Sequence, residues 1–340
     1  MPHSSLKMPY ALYIHLPWCI QKCPYCDFNS HATHGKAHDE AGYVTALLQD
    51  WRSEQPQVAG RTLSSIFFGG GTPSLFSAAA INDILDTIRA STACAPHLEV
   101  TLETNPGTVR ETVAAARFKG YRAAGVTRLS IGVQSFDAAQ LKTLGRIHNG
   151  DDAQRATAVA RAAGFDNFNL DLMYGLPTQS VDAALDDLRA AIALNPTHIS
   201  WYQLTLEPNT AFAKRPPAHL PDNDTLWAMQ QAGQALLASA GYAQYEVSAY
   251  ARDDNTCQHN VNYWQFGDYV GIGAGAHGKI TAADGTIHRR SKLKNPTLYM
   301  QHAGTPTACE EHKMVPTADL PLEFMMNALR LNAGFSPALY

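Results

Sequence analysis

Tyr13-Ile-His-Leu-Pro-Trp-Cys19-Ile-Gln-Lys-Cys23-Pro-Tyr-Cys26 sets three thiols on one short loop, directly after the apolar run Leu12–His15. The spacing is C-x3-C-x2-C. Three thiolates this close can hold three corners of an iron–sulfur cube. No fourth cysteine lies nearby, so one iron keeps an open coordination position. Zinc is an alternative: structural zinc takes four protein ligands, usually as two pairs, and His15 or His31 can supply the fourth. Three buried thiols without metal are another. The other cysteines, Cys94, Cys257 and Cys309, are scattered. A secreted disulfide scaffold is shorter and richer in cysteine, so the pattern points to reduced thiols in a cytoplasmic protein.

Working outward from this loop, short apolar runs alternate with helical patterns as far as about residue 240. The strand candidates are Leu12–His15, Ser65–Phe68, Leu98–Glu103, Arg128–Val133, Phe168–Met173 and Ile199–Leu204. Helical spacing follows them, as in Val44, Leu47, Leu48 and Trp51. Arg122-Ala-Ala-Gly125 and Arg161-Ala-Ala-Gly164 repeat ahead of two of the strands, each glycine placed for a left-handed helix cap. Six such units predict a parallel α/β sheet curled into a partial, TIM-like (β/α)6 barrel, too short to close an eight-fold one. The expected division is a barrel over 1–240 and a smaller α+β region over 241–340. In the latter, Tyr242–Tyr250 reads as a strand, Ala283-Asp-Gly-Thr286 as a hairpin turn and Leu320–Leu331 as a helix.

Of 340 residues, 45% are hydrophobic and 16% charged, and the formal net charge is −4, enough apolar residue for a sizeable core and no field that favours nucleic acid. No eighteen-residue apolar run predicts a membrane span, and MPHSSLKMPYALYIH lacks the basic-then-apolar order of a signal peptide.

Polar residues recur at strand ends: Glu103 in Leu-Glu-Thr-Asn-Pro106, Gln134 in Ser-Ile-Gly-Val-Gln-Ser-Phe136, Arg146 in Leu-Gly-Arg-Ile-His148, and Asp171 in Asn-Leu-Asp-Leu-Met-Tyr-Gly-Leu-Pro177. All fall on the edge where parallel barrels build their sites. Burying one without a partner costs about 1–3 kcal/mol. A bland account has Asp171 capping a turn and Glu103 paired with an arginine; four in this order favour a ligand.

The cysteine spacing, with Tyr25 before the third cysteine, resembles the radical-SAM superfamily signature. Phe68-Gly-Gly-Gly-Thr-Pro73 resembles that superfamily's glycine-rich segment, which receives the amino group of S-adenosylmethionine (SAM). Glycines there let backbone approach a ligand, and no Gly-Lys-Ser/Thr follows to make a phosphate loop. Over residues 10–332 the chain resembles the coproporphyrinogen dehydrogenase-like branch, and within it the heme chaperones. The resemblance implies a [4Fe–4S] cluster on Cys19, Cys23 and Cys26. It also implies SAM contacts from Tyr13, Tyr25, Gly70, Gly71, Thr72, Glu103, Gln134, Arg146 and Asp171.

Two features separate the branches. The dehydrogenases carry a further cysteine two residues after the third, where this chain has Phe28, and a longer N-terminal arm. His259-Asn-Val-Asn-Tyr-Trp264 matches the chaperones' HNxxYW motif, which makes His259 the expected heme ligand, with Tyr263 and Trp264 as flat apolar surface. Read without the family, His259 is a hydrogen-bonded core histidine. Cys257 is expected to be buried. The expected partners are heme, a heme-accepting protein and a second copy of the chain, with little or no porphyrin oxidation.

Gly271-Ile-Gly-Ala-Gly-Ala276 mimics a dinucleotide fingerprint, but hairpin-like sequence follows it rather than a helix. The resemblance instead brings this segment, with Ala276 or His277, over the SAM adenine. His31, His34 and His38 read as a solvated surface. Family members usually continue some tens of residues past the last helix. If the chain is a fragment or a shortened form, impaired heme or acceptor docking is the expectation.

Overall fold

The computed structural model describes residues 8–108 and 113–340; residues 1–7, read above for a targeting signal, lie outside that range. Strands β1 (Tyr10–Leu16), β2 (Thr62–Gly70), β3 (Ala93–Thr104), β4 (Arg128–Gln134), β5 (Phe168–Tyr174) and β6 (His198–Gln203) run parallel in that order. Each contains one of the six apolar runs or nearly all of it. Helices α1 (Glu40–Glu54), α2 (Ala78–Ser91), α3 (Val113–Ala124), α4 (Gly150–Ala162), α5 (Val181–Ala193) and α6 (Asn223–Ser239) follow the strands in turn. The result is the expected partial (β/α)6 barrel.

The helices form for local reasons. In α2, Ile81, Ile84, Leu85 and Ile88 are buried at helical spacing, and the Ser77 hydroxyl accepts from the Ala80 N–H as its cap. Gly125 and Gly164 adopt φ of +94° and +87° after α3 and α4, the left-handed conformation their position predicts. β1 is buried along nearly its whole length, as a strand covered on both faces must be.

Past residue 240 the chain adds β7 (Ala243–Glu246), β8 (Ala249–Ala251), α7 (Gln258–Trp264), β9 (Asp268–Ile272), β10 (His277–Thr281), β11 (Ile287–Lys292), β12 (Cys309–Met314) and α8 (Leu320–Ala328). These strands extend the same sheet at both ends, giving the order β12-β11-β10-β9-β1-β2-β3-β4-β5-β6-β8-β7. β9 is parallel to β1, and β10, β11 and β12 follow it antiparallel. The Ala283–Thr286 turn joins β10 to β11 as expected. The glycine run after β9 also leads into antiparallel β10, with no phosphate-facing helix.

Two expectations need correction. Tyr242–Tyr250 is not one strand: β7 and β8 form a hairpin around Val247–Ser248. The Glu246 carboxylate accepts from both the N–H and the hydroxyl of Ser248, at 3.2 and 3.1 Å, and closes the turn. The helix expected over Leu320–Leu331 stops at Ala328.

Buried ion pairs fasten the late strands to the first unit. Lys292 on β11 reaches Asp50 at 2.5 Å and Glu54 at 2.6 Å, both on α1 and all nearly without exposure. Asp268 on β9 takes Arg61 and Lys279, each at 2.9 Å. Breaking a buried pair strands a charge, at a cost of about 3–5 kcal/mol. Lys292→Ala is therefore expected to lower stability by roughly 3–5 kcal/mol in urea unfolding. Asp50→Asn combined with Glu54→Gln in the same background should recover part of that loss.

Candidate functional site: a cysteine-lined cavity

The cysteine loop is pinned at both ends. His31 N–H donates to Pro17 O and Thr33 N–H to Cys19 O, which pairs Trp18–Cys19 with His31–Ala32. From the other side, Gly71 N–H donates to Leu16 O at 2.8 Å and Thr72 N–H to Trp18 O at 2.7 Å. A Cβ on Gly71 would lie 2.4 Å from the Trp18 carbonyl oxygen. Gly70 adopts φ +114°, and a Cβ there would run into the His15 ring. These glycines admit the cysteine loop itself, a closer demand than the approach of a ligand.

Cys19, Cys23 and Cys26 line one cavity of about 340 Å³ at the C-terminal edge of the parallel strands. Tyr25, Gly70, Gly71, Thr72, Glu103, Gln134, Arg146 and Asp171 line it too. Eleven of the thirteen residues singled out in the sequence therefore meet there. Tyr13 and His259 do not.

Arg146 donates to Gly132 O at 2.6 Å and approaches Cys23 Sγ at 3.6 Å, while its buried Nε has no hydrogen-bond partner among the described residues. Gln134 accepts from the Tyr202 hydroxyl at 2.8 Å, and its backbone is held at φ +71°, an unusual conformation for a side-chain-bearing residue. Cys26 Sγ lies 3.6 Å from the Ser30 hydroxyl. Burial first, and then the neighbouring sulfurs, push the Cys19 thiol up to about 11. Burial also raises Cys26. Among the described residues, no three His, Cys, Asp or Glu side chains are grouped to hold one metal ion.

Neither carboxyl makes an ion pair among the described residues, although the Arg128 charge lies near enough to Asp171 to act against its rise. Among the described residues Glu103 accepts from Gly70 N–H, at 3.3 Å, and burial, with a smaller push from Asp171, raises it to about 8. Asp171 accepts from Asn169 at 2.7 Å and Ser130 at 3.0 Å, and burial raises it as well. The turn cap and the arginine partner of the bland account are both missing: Asp171 sits within β5, and Glu103 has no ion pair among the described residues. Two carboxyls that line the cavity without an ion pair among the described residues are poised to accept hydrogen bonds from an amino or hydroxyl-bearing ligand.

His259 is 1% exposed, and both ring nitrogens are used: Nδ1 with the Ser65 hydroxyl and Nε2 with the Tyr263 hydroxyl, each at 3.0 Å. Burial lowers it to about 3, so the ring is neutral and internal. The motif acts through its neighbours. Asn260 and Trp264 line the cavity, whereas Tyr263 faces a separate groove. Cys257 is buried as expected, and Glu99 accepts from the Gln258 and His259 N–H groups to anchor α7. Tyr13 is half-buried and lines that separate groove, and its hydroxyl meets His15 Nδ1 at 3.0 Å. Of the three loop histidines, His34 is exposed as expected, but His38 is half-buried and stacks on Trp18 at 4.8 Å.

Sequence reasoning missed the far wall. Arg330 stacks over the Trp264 ring at 4.3 Å and pairs with Glu246 at 2.8 Å, and all three line the cavity with Ser248. They come from α7, the β7–β8 hairpin and the end of α8, and no local pattern links them.

A barrel whose first strand feeds a three-cysteine loop onto a glycine segment defines a radical-SAM protein, and the Radical SAM superfamily model matches residues 13–191. The "Heme chaperone HemW" of Escherichia coli (strain K12) is 54% identical over 324 residues, spanning 95% of this chain and 83% of that protein. That of Haemophilus influenzae is 53% identical over 327 residues, with the same shares. Coproporphyrinogen III oxidase (HemN) from Escherichia coli superposes with a TM-score of 0.81 at 25% identity, over 96% of this chain and 76% of that one. The chain belongs to the radical-SAM superfamily and, within it, to the heme chaperone HemW family.

The raised Glu103 pKa has a stability consequence. The folded state holds this proton up to about pH 8, whereas the unfolded chain releases it near the ordinary glutamate value of 4.5. The contribution is fully present below the unfolded value and is lost as pH rises through the folded one. Ligand-free wild-type protein should lose stability between these limits more steeply than Glu103→Gln, as urea midpoints measured across that range will read.

Proposed function

We propose that this chain is a heme chaperone that binds heme and passes it to an acceptor protein while carrying a [4Fe–4S] cluster and SAM. The observation that carries the reading is the meeting of three thiols with Glu103, Gln134, Arg146 and Asp171 around one cavity. Cys19, Cys23 and Cys26 would hold the cluster. Bound with one iron free of protein sulfur, it offers SAM a coordination position and a source of one electron.

The chain's own residues do the rest. Gly71 and Thr72 clamp the loop so that the thiols keep their spacing. Arg146 lays positive charge beside Cys23, which offsets the charge of three thiolates. Glu103 and Asp171 would accept hydrogen bonds from the amino and hydroxyl groups of SAM. Gln134, fixed by Tyr202, would present its amide to the same ligand. Tyr25 closes the cavity from the loop side. The barrel over 1–240 thus carries both cofactors, and the 241–340 region contributes the far wall and the heme-binding surface. The protein is further proposed to act in the cytoplasm, where a second copy is a candidate partner.

A second reading, radical decarboxylation of coproporphyrinogen III, is favoured by the fold shared with HemN. Phe28, where the dehydrogenases have a cysteine, is 61% exposed and stands against it. Anaerobic assay with reductant, SAM and coproporphyrinogen III decides: the chaperone reading expects no appreciable protoporphyrinogen, and efficient formation overturns it. The same preparation is expected to hold four irons per chain, lost in a Cys19→Ser, Cys23→Ser, Cys26→Ser triple variant. A charge-assisted hydrogen bond contributes about 1.5–3 kcal/mol, so Glu103→Gln should weaken SAM binding by roughly 10- to 150-fold in calorimetry.

A further inference from the structure

Beside the cysteine cavity lies a second, more open one of about 570 Å³, with Lys22, Phe28 and Ser30 bordering both. Tyr263 and Tyr269 line it, their rings edge to face at 4.4 Å, and the exposed ring of Phe28 stands at its rim. It is also lined by three histidines, and two of them are committed. His15 is 4% exposed and uses Nδ1 on the Tyr13 hydroxyl and Nε2 on Asn29 O. His31 uses Nε2 on Asn29 Oδ1 and bonds the Lys294 backbone. His277, at the start of β10, is exposed, and its ring has no hydrogen-bond partner among the described residues.

The charges are as informative as the rings. Lys294 is exposed and makes no side-chain bond among the described residues. Lys22 donates to Phe28 O at 3.1 Å and Ser30 O at 3.3 Å, which leaves one ammonium hydrogen for a ligand. Asp27 is the acidic residue in the lining, and Glu310 and Glu311 lie on the His277 side together with Arg289. Aromatic walls, an uncommitted imidazole and two ammonium groups match a flat apolar macrocycle with a central iron and two carboxylates.

We propose that heme seats in this groove, with His277 as its axial iron ligand and with Lys294 and Lys22 meeting the propionates. The proposal rests on the heme-chaperone reading and moves the iron ligand away from His259. The HNxxYW motif then serves heme indirectly. His259 Nε2 and the Tyr263 hydroxyl hold the Tyr263 ring as part of the groove floor, and His259 never meets the iron. Because the cysteine loop borders both cavities, heme and SAM would occupy neighbouring chambers.

Hemin titration of the full chain, followed by Soret absorbance and electron paramagnetic resonance, tests this. His277→Ala is expected to lower hemin affinity at least about tenfold and to lose the imidazole-ligated signature, with free imidazole restoring it. His277→Cys should convert the spectrum to a thiolate-ligated form, which a merely structural role for His277 would not produce. Lys294→Glu should weaken hemin but leave its dimethyl ester unaffected. A His277→Ala protein with wild-type spectrum and affinity overturns the proposal while leaving the chaperone reading intact. A wild-type chain that does not bind hemin ends both.

Discussion

The site depends on a backbone contact with no room for a side chain. Gly71 and Thr72 donate to the carbonyls of Leu16 and Trp18, and the Trp18 oxygen occupies the space a Cβ on Gly71 would need. That clamp ties the end of β2 to the segment leaving β1. Three thiols otherwise free on a loop are thereby held at a fixed spacing. Gly145 gives similar access from β4's side, where a Cβ would meet the Pro24 ring at 2.8 Å, and it brings Arg146 to Cys23. Placing a multi-atom cofactor requires such rigidity, since its ligands must be in position before it binds.

Around the clamp, the barrel solves an electrostatic problem by leaving it open. Glu103 and Asp171 face the cavity without a salt bridge among the described residues, and desolvation keeps both inclined to hold protons. A fold selected only for stability would pair or replace them. Elsewhere this chain does pair its buried charges: Lys292 with Asp50 and Glu54, Asp268 with Arg61 and Lys279. The contrast between the clamped charges at the β9–β11 edge and the unpaired ones in the cavity separates what holds the molecule together from what awaits a ligand.

Much of this was legible in the sequence because it is written locally. A strand, its turn and its helix are adjacent in the chain, so the six units and the polar residues at their strand ends could be read in order. The cysteine spacing is local too. What escaped needs distant segments. Arg330 matters only because α8 brings it over Trp264 and against Glu246. The surroundings of His259 could not be read because a sequence shows the residue type and not its partners: Ser65 and Tyr263, one 194 residues away and one a helical turn on, use both nitrogens. Tyr242–Tyr250 looked continuous because the turn that splits it is closed by a side chain, Glu246, whose own spacing fits a strand.

α7 is seven residues long, and its directions are all spoken for. His259 points to the sheet, Asn260 and Trp264 to the cysteine cavity, Tyr263 to the neighbouring groove, and Glu99 grips its first N–H groups. So short a helix offers almost no neutral position. Evolutionary drift should be far narrower there than in α4 or α6, whose outer faces meet only solvent, and an engineer seeking a permissive place to label or tag this molecule should look to those two instead.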